Sequence, residues 1–433
     1  MQTRTLSQYC GFLTRRSVGI LSLGLVLGSM TAVASSRDKR GDDDEHWVAT
    51  WSTTLHAPGL LPGLTNTGFS NQTLRQIVHI SIGGQRVRLR LSTFGADALV
   101  IEAAHIALSA GDSTIVAGSD RALTFGGKTS IVIPPGAPVV SDPVELTVPD
   151  LANLAVSLFV AGASGPATWH FDSRQDSYIS PPGDFTGTTV MPLDPQSPTT
   201  QAWFWLAGID VVAQRRSGAV AALGDSITNG DQSSVDGNHR WTDELARRIA
   251  QQDEHAMGML NEGMDGNRLL HDVLGPNGLA RFERDVLSQP GLAYAIVFLG
   301  TSDIGTGWPG GLNPDQVVTV DQILQAYEQL IEAAHTRGVK IYGATLTPFE
   351  GAFVPGTPFP LYSPENEMKR REVNHWIRTS GAFDAVIDFD RVLRDPNAPA
   401  RLLPKYDSGD HVHPNDDGYE AMAEAVNLRL FTR

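Results

Sequence analysis

The sequence predicts an α/β protein: a parallel-sheet domain over residues 214–433, preceded by an all-β, jelly-roll-like domain over residues 46–213. Three observations carry this. Alternating apolar and polar residues, broken at short intervals by Pro and Gly, fill the first region. After Ser217-Gly218 the pattern changes to short apolar runs, each followed by a helical stripe. The length of 433 residues also exceeds what one core usually supports.

Residues 1–34 read as an export signal. Arg15 and Arg16 form a charged start, Val18 to Met30 a short apolar core, and Ala32-Val33-Ala34 a small-residue cleavage site. Thr14-Arg15-Arg16-Ser17-Val18 also fits a twin-arginine signal, so the expected location is periplasmic or extracellular by the Sec or twin-arginine route. Cys10 is the only cysteine and precedes the apolar core, so the exported chain would hold no disulfide. Residues 35–45 are charged and read as a disordered linker. Asp42-Asp43-Asp44 lacks the glycine and glutamate spacing of a calcium loop. The formal net charge of −15 argues against nucleic acid as a partner. After the N-terminus no stretch is apolar enough to span a membrane, so no stable membrane insertion is expected.

In the all-β region, Val78, Ile80 and Ile82 alternate with polar residues. Gly83-Gly84 follows as a hairpin signal, and then Val87, Leu89 and Leu91 alternate with Arg86, Arg88 and Arg90. Val144, Leu146 and Val148 alternate too, as do Leu154, Val156, Leu158 and Val160. Many aromatics lie here, Trp47, Trp51, Trp169, Trp203 and Trp205 among them. They either fill the core or form a face that stacks on sugar rings, with core filling the commoner use.

The second region begins with the run Ala219 to Leu223, a buried strand entering the turn Gly224-Asp225-Ser226. Helical stripes follow at Trp241, Leu245 and Ile249; at Leu279, Phe282, Val286 and Leu287; and at Ile323, Tyr327, Leu330 and Ile331. Two more run through Met368, Val373, Trp376 and Ile377, and through Tyr419, Met422, Ala423 and Val426. Strands are expected at Met257 to Leu260, Tyr294 to Leu299, Val339 to Leu346 and Ala385 to Phe389. Alternating units of this kind build a parallel sheet with helices on both faces.

Ser226 falls just past the carboxyl end of its strand, where open α/β sheets place their chemistry. A serine hydroxyl is a weak nucleophile unless a base activates it. The downstream spacing Asp410-x-x-His413 can bring a carboxylate to the imidazole of such a base, fixing its tautomer. Pro414 suits a first helical turn, so this histidine is expected on a loop against a helix start. Asp410, His411 and His413 are also residue types that ligate metals, but no second cluster of ligands accompanies them. The Gly263-to-Gly266 loop lacks the order and the lysine of a phosphate cradle. The G-x-S-x-G context of an α/β-hydrolase is absent around Ser226.

Four blocks occur in order: Gly224-Asp225-Ser226-Ile227, Asn261-x-Gly263-x-x-Gly266, Gly300-Thr301-Ser302-Asp303 and Asp410-x-x-His413. Together they resemble the SGNH (GDSL-type) hydrolase superfamily, some of whose esterases carry an N-terminal β region. The resemblance implies a flavodoxin-like parallel-sheet hydrolase domain. It implies a serine esterase with Ser226, His413 and Asp410 as catalytic residues, acting on short acyl chains or acetylated carbohydrate. It implies an oxyanion site formed by the Ser226 N–H, the Gly266 N–H and the third block, with no metal or organic cofactor. The third block departs from the family pattern, because Ser302 stands where an asparagine is usual. A hydroxyl is a single donor on a shorter arm than an amide, and Asn267 is a nearby substitute. The expected substrate is a small-molecule or polysaccharide ester. The alternative is a weakly active or inactive relative whose β region binds glycan.

Overall fold

The structure, a computed structural model, describes residues 45–59, 66–95, 97–213, 217–252 and 256–432. The expected leader and all but the last residue of the linker lie outside the described residues. The first half is two antiparallel sheets. One runs Trp47–Ser52, Leu206–Val212, Gly84–Ser92, Val144–Val148; the other is centred on Ser70–His79, Asn153–Ala163 and Ala103–Gly111. Their alternating residues face one another. Val78, Val87, Leu89, Leu91, Leu154, Val156 and Leu158 are essentially inaccessible. Fully burying each such side chain contributes about 1.5–3 kcal/mol.

One expectation needs correction here. Gly83-Gly84 does not close a hairpin, because Ser70–His79 and Gly84–Ser92 belong to different sheets. Ser70–His79 pairs with Asn153–Ala163, and Gly84–Ser92 with Leu206–Val212. Both strands bury their apolar face, so the turn carries the chain from one layer of the core to the other. The Gly83 position tolerates no side chain, since a Cβ there would lie 2.2 Å from the Val148 carbonyl oxygen. Two of the arginines alternating with Val87, Leu89 and Leu91 hold a buried carboxylate. Arg88 and Arg90 grip the fully buried Asp210 at 2.9 and 3.0 Å, and Arg88 lies 4.3 Å over the Trp47 ring.

The second half holds a parallel sheet in the order Met257–Gly263, Gly218–Gly224, Leu292–Phe298, Lys340–Ala344, Ala385–Ile387. The chain order is therefore 2-1-3-4-5, and its switch point lies beside the first strand, where such sheets open a crevice. The eight α-helices of this half, among the described residues, are α1 (Ser226–Asn229), α2 (Trp241–Ala250), α3 (Gly278–Phe282), α4 (Thr301–Thr306), α5 (Val320–Thr336), α6 (Pro364–Thr379), α7 (Phe389–Leu393) and α8 (Asp416–Ala425). A π-turn, Glu283–Leu287, extends α3.

Local chemistry sets the boundaries. Thr319 and Gln322 form a capping box for α5, which ends before Gly338 at φ +70°. Ser363 caps α6 with Pro364 in the first turn. Asn415 caps α8, so Pro414 precedes the cap instead of opening the helix as expected. Met368, expected on the buried stripe of α6, is 64% exposed, while Val373 and Ile377 are buried. Phe389 starts α7 instead of ending the last strand, because the Asp388 side chain caps that helix.

The two halves share polar contacts. The Ala49 N–H donates to the Pro290 carbonyl at 2.9 Å, and the Met259 N–H to Ser81 Oγ at 2.9 Å. Glu262, on the second parallel strand, accepts from Ser52 and Thr54 of the β-rich half and from Gln289. Burial, then the nearby Asp285 charge, pushes the Glu262 carboxyl up to about 8. Arg281 joins this layer to the sheet edge. It donates to Thr54 Oγ1, Asn267 Oδ1 and the Gly224 carbonyl, each at 2.9 Å.

Candidate active site

The first strand ends at Gly224, and the chain turns at once into α1. A side chain at Gly224 would meet Thr228 Oγ1 at 2.0 Å, so glycine is required for the turn. Asp225 caps α1 by accepting the Ile227 N–H at 3.1 Å. Burial raises its carboxyl to about 6. Ser226 is thereby the first residue of α1, at the carboxyl edge of the sheet. Asn261 braces this helix from the next strand, donating to the Thr228 carbonyl at 2.6 Å. Gly263 lets the strand pass close by, since a Cβ there would lie 2.2 Å from the Asn229 nitrogen.

The candidate base, His413, comes from the loop before α8. Asp410 Oδ1 accepts the Val412 N–H at 3.0 Å and the His413 N–H at 2.8 Å, and Oδ2 lies 2.6 Å from His413 Nδ1. A carboxylate can only accept here, so Nδ1 carries the proton and Nε2 presents its lone pair. Nε2 is 2.8 Å from Ser226 Oγ, which donates to it. The Asp410 carboxyl is half-buried, but the His413 hydrogen bond and charge outweigh that and hold it down at about 2. Burial opposes a charged His413 as well. The Asp410 hydrogen bond, then the charges of Asp231, Asp410 and Asp225, outweigh it and raise its pKa above the ordinary 6.5. Chemically, the arrangement is a hydroxyl hydrogen-bonded to a correctly oriented base, which is what nucleophile activation requires.

His411 stands apart from this. It pairs with Asp407 through Nδ1 at 2.6 Å, adopts φ +68°, and its side chain is 52% exposed against 4% for His413. The two imidazoles use Nδ1 on different carboxylates and face no common ligand position.

Gly266 and Ser302 lie on the neighbouring carboxyl edges, after the second and third parallel strands. Gly266 adopts φ +61°, in the left-handed region that favours glycine. Among the described residues, neither the Ser226 N–H nor the Gly266 N–H has an acceptor within the protein. Ser302 is the second residue of α4, half-buried, and its hydroxyl also has no partner among the described residues. Asn267 is not a substitute donor. Its amide is buried and spent on the Pro276 carbonyl at 2.9 Å, while its oxygen holds Arg281. Asp303 is inaccessible and ties two loops together, accepting the Leu269 N–H at 2.6 Å and the Leu270 N–H at 3.3 Å. Burial raises it to about 6.

Sequence reading missed three carboxylates beside this site. Oxygens of Asp172, Asp231 and Asp265 lie within 4.8 Å of one another. They do not frame an open cation position. The Asn229 amide nitrogen sits among them, donating to Asp265 Oδ1 at 2.8 Å, Asp231 Oδ1 at 3.1 Å and the Asp172 carbonyl at 3.0 Å. Asp231 lies four residues after the first block and Asp265 falls inside the second, so their position was a usable signal. Asp172 comes from the β-rich half and carried none.

Residues 222–421 match the GDSL-like Lipase/Acylhydrolase family. No curated protein matches the chain. Among solved structures, the chain is similar to a carbohydrate acetylesterase family member from Sinorhizobium meliloti, at 16% identity and TM-score 0.38 over 49% of this chain and 97% of that one. It is similar to a GDSL-like lipase from Bacteroides thetaiotaomicron, at 18% identity and TM-score 0.35 over 48% and 84%. It is also similar to a family two carbohydrate esterase from Cellvibrio japonicus, at 12% identity and TM-score 0.35 over 89% and 95%.

Proposed function

We propose that this chain, which carries a GDSL-like lipase/acylhydrolase domain over residues 222–421 and is an ester hydrolase of that kind, works as an exported serine esterase through Ser226, His413 and Asp410. The observation that carries the reading is the unbroken relay from Asp410 through His413 to Ser226, at 2.6 and 2.8 Å. Residues 46–213 act as an accessory β-rich domain of jelly-roll type, and residues 214–433 as the flavodoxin-like catalytic domain.

The reaction follows from the relay. Ser226 Oγ loses its proton to His413 Nε2 as it attacks the ester carbonyl. Asp410 stabilises the imidazolium that forms. The carbonyl oxygen, now negative, is met by the Ser226 and Gly266 N–H groups and the Ser302 hydroxyl, which have no acceptor among the described residues. His413 then protonates the leaving alcohol, giving an acyl-enzyme on Ser226. Water, deprotonated by His413, releases the acid. The substrate is a short-chain or carbohydrate acetyl ester, a reading that rests on the sequence resemblance.

The alternative of a glycan-gripping module loses its platform. Among the described residues of the β-rich half no aromatic is exposed, and Trp51, Trp203 and Trp205 are buried. The test is hydrolysis of p-nitrophenyl esters from acetate to octanoate, and of acetylated xylan. Turnover falling with chain length is expected. A preference for octanoate would overturn the short-chain assignment.

A further inference from the structure

His413 Nε2 faces two groups. Ser226 Oγ is 2.8 Å away, and Asp231 Oδ2 is 3.9 Å away on another side. Two carboxylates thus lie near one buried imidazole, Asp410 on Nδ1 and Asp231 near Nε2. Asp231 has little freedom. Its Oδ1 accepts from Asn229, and its backbone carbonyl accepts the buried Tyr419 hydroxyl at 2.6 Å. Behind it stand Asp265 and Asp172, with Arg174 3.4 Å from Asp172. On the far side of Asn229, His170 Nε2 lies 2.8 Å from the amide oxygen.

We propose that Asp231 is a positioning residue for the base: it lies where negative charge favours the His413 imidazolium, and Asp265 and Asp172 govern how much charge it holds. The inference rests on the esterase reading for its consequence but not for its geometry. Three carboxylates packed this closely cannot all ionise freely, because each raises the cost of charging the next. Burial first, then the Asp265 charge, pushes Asp231 up; burial, then Asp172, pushes Asp265 up to about 7. Asp231 therefore holds less negative charge than an isolated aspartate would. At 3.9 Å its Oδ2 is beyond hydrogen-bond reach of Nε2, so it acts on the imidazolium through charge alone. The other groups facing this charge are Asp410 and Asp225 near His413, Tyr419, Arg174 and, through Asn229, His170. The proposal also gives the β-rich half a part in the site, since Asp172 and His170 both belong to it.

The test titrates His413 in the full chain by imidazole NMR, with His413→Asn to assign the signal, beside the acid limb of kcat/KM. Asp231→Asn removes the charge near Nε2 and should lower the His413 pKa by about one unit. Asp265→Asn relieves the crowding on Asp231, lets it ionise more fully, and should raise the His413 pKa. A purely structural role would not give shifts of opposite sign. His413 titrating alike in all three proteins, or moving the same way in both variants, overturns the proposal. If Asp231→Asn does not fold, an upward shift in Asp265→Asn supports it and an unmoved titration overturns it. Opposite shifts in a chain that hydrolyses no ester would support the coupling and sink the esterase reading. Ester hydrolysis with an unmoved His413 would do the reverse.

Discussion

The proposed base side of the site is built from side chains that hold one another, and the proposed oxyanion side from two backbone N–H groups and a hydroxyl that face no partner among the described residues. On the base side, Asp410 accepts two backbone N–H groups as well as the imidazole, and His413 is spent at both nitrogens. On the oxyanion side, the Ser226 and Gly266 N–H groups and the Ser302 hydroxyl sit at the ends of three adjacent strands and bond to nothing among the described residues. The base side must hold a proton before reaction, so its bonds exist in the resting protein. Oxyanion donors, the role proposed for these groups, act only on charge that appears in the transition state, so satisfying them beforehand would waste them. The same contrast separates the two Asp–His pairs of one loop. Asp407–His411 repeats the 2.6 Å bond of Asp410–His413, yet its imidazole is 52% exposed and reaches no serine.

The sharpest break of this comparison is Ser226→Ala, which removes the group shared by both sides. Turnover of p-nitrophenyl acetate should fall by about 10^4-fold or more. Asp410→Asn tests the base side alone and should lower kcat by about 10^2 to 10^4-fold, because the amide favours the wrong tautomer. Asp407→Asn in the neighbouring pair, whose imidazole faces solvent, should change kcat by about twofold or less. Equal losses in the two variants would abolish the distinction drawn between the pairs. Ser302→Asn sharpens the oxyanion side. It restores a longer donor arm and should raise kcat by about tenfold, a fraction of what a full oxyanion donor supplies. An unchanged rate would mean that the two N–H groups and Ser302 already meet the charge.

The smallest effect is in pH. His413 must be neutral to act as base, and its pKa is raised above 6.5, so the acid limb of kcat/KM should have its midpoint above 6.5. Asp410 is held down at about 2, so the stability it contributes is present above about 4 and is lost as pH falls toward 2. Thermal unfolding followed from pH 5 to pH 2 should show that loss in the wild type and much less of it in Asp410→Asn.

The sequence made the base side legible and left much of the rest hidden. Ser226, Asp410 and His413 stand in short local patterns, and strand-then-helix periodicity placed the first three blocks at one sheet edge. The five parallel strands were legible because each is a short apolar run. Gly83-Gly84 misled because a hairpin and a crossing between layers use the same residues, and only pairing partners tell them apart. Asn267 misled because proximity in sequence says nothing about where an amide is already engaged. The Glu262–Arg281 network and the Asp172–Asp231–Asp265 cluster join residues far apart in the chain, so no single window of sequence shows either assembled, although Asp231 and Asp265 stand near the first two blocks.

The most direct measurement is intact-mass and peptide analysis of the full chain after reaction with a fluorophosphonate, alongside Ser226→Ala. A single adduct on the Ser226 peptide, absent from the variant and formed far more slowly in His413→Ala, is the predicted result. An adduct on another residue, or none in a protein that still turns over ester, would contradict Ser226 as the nucleophile.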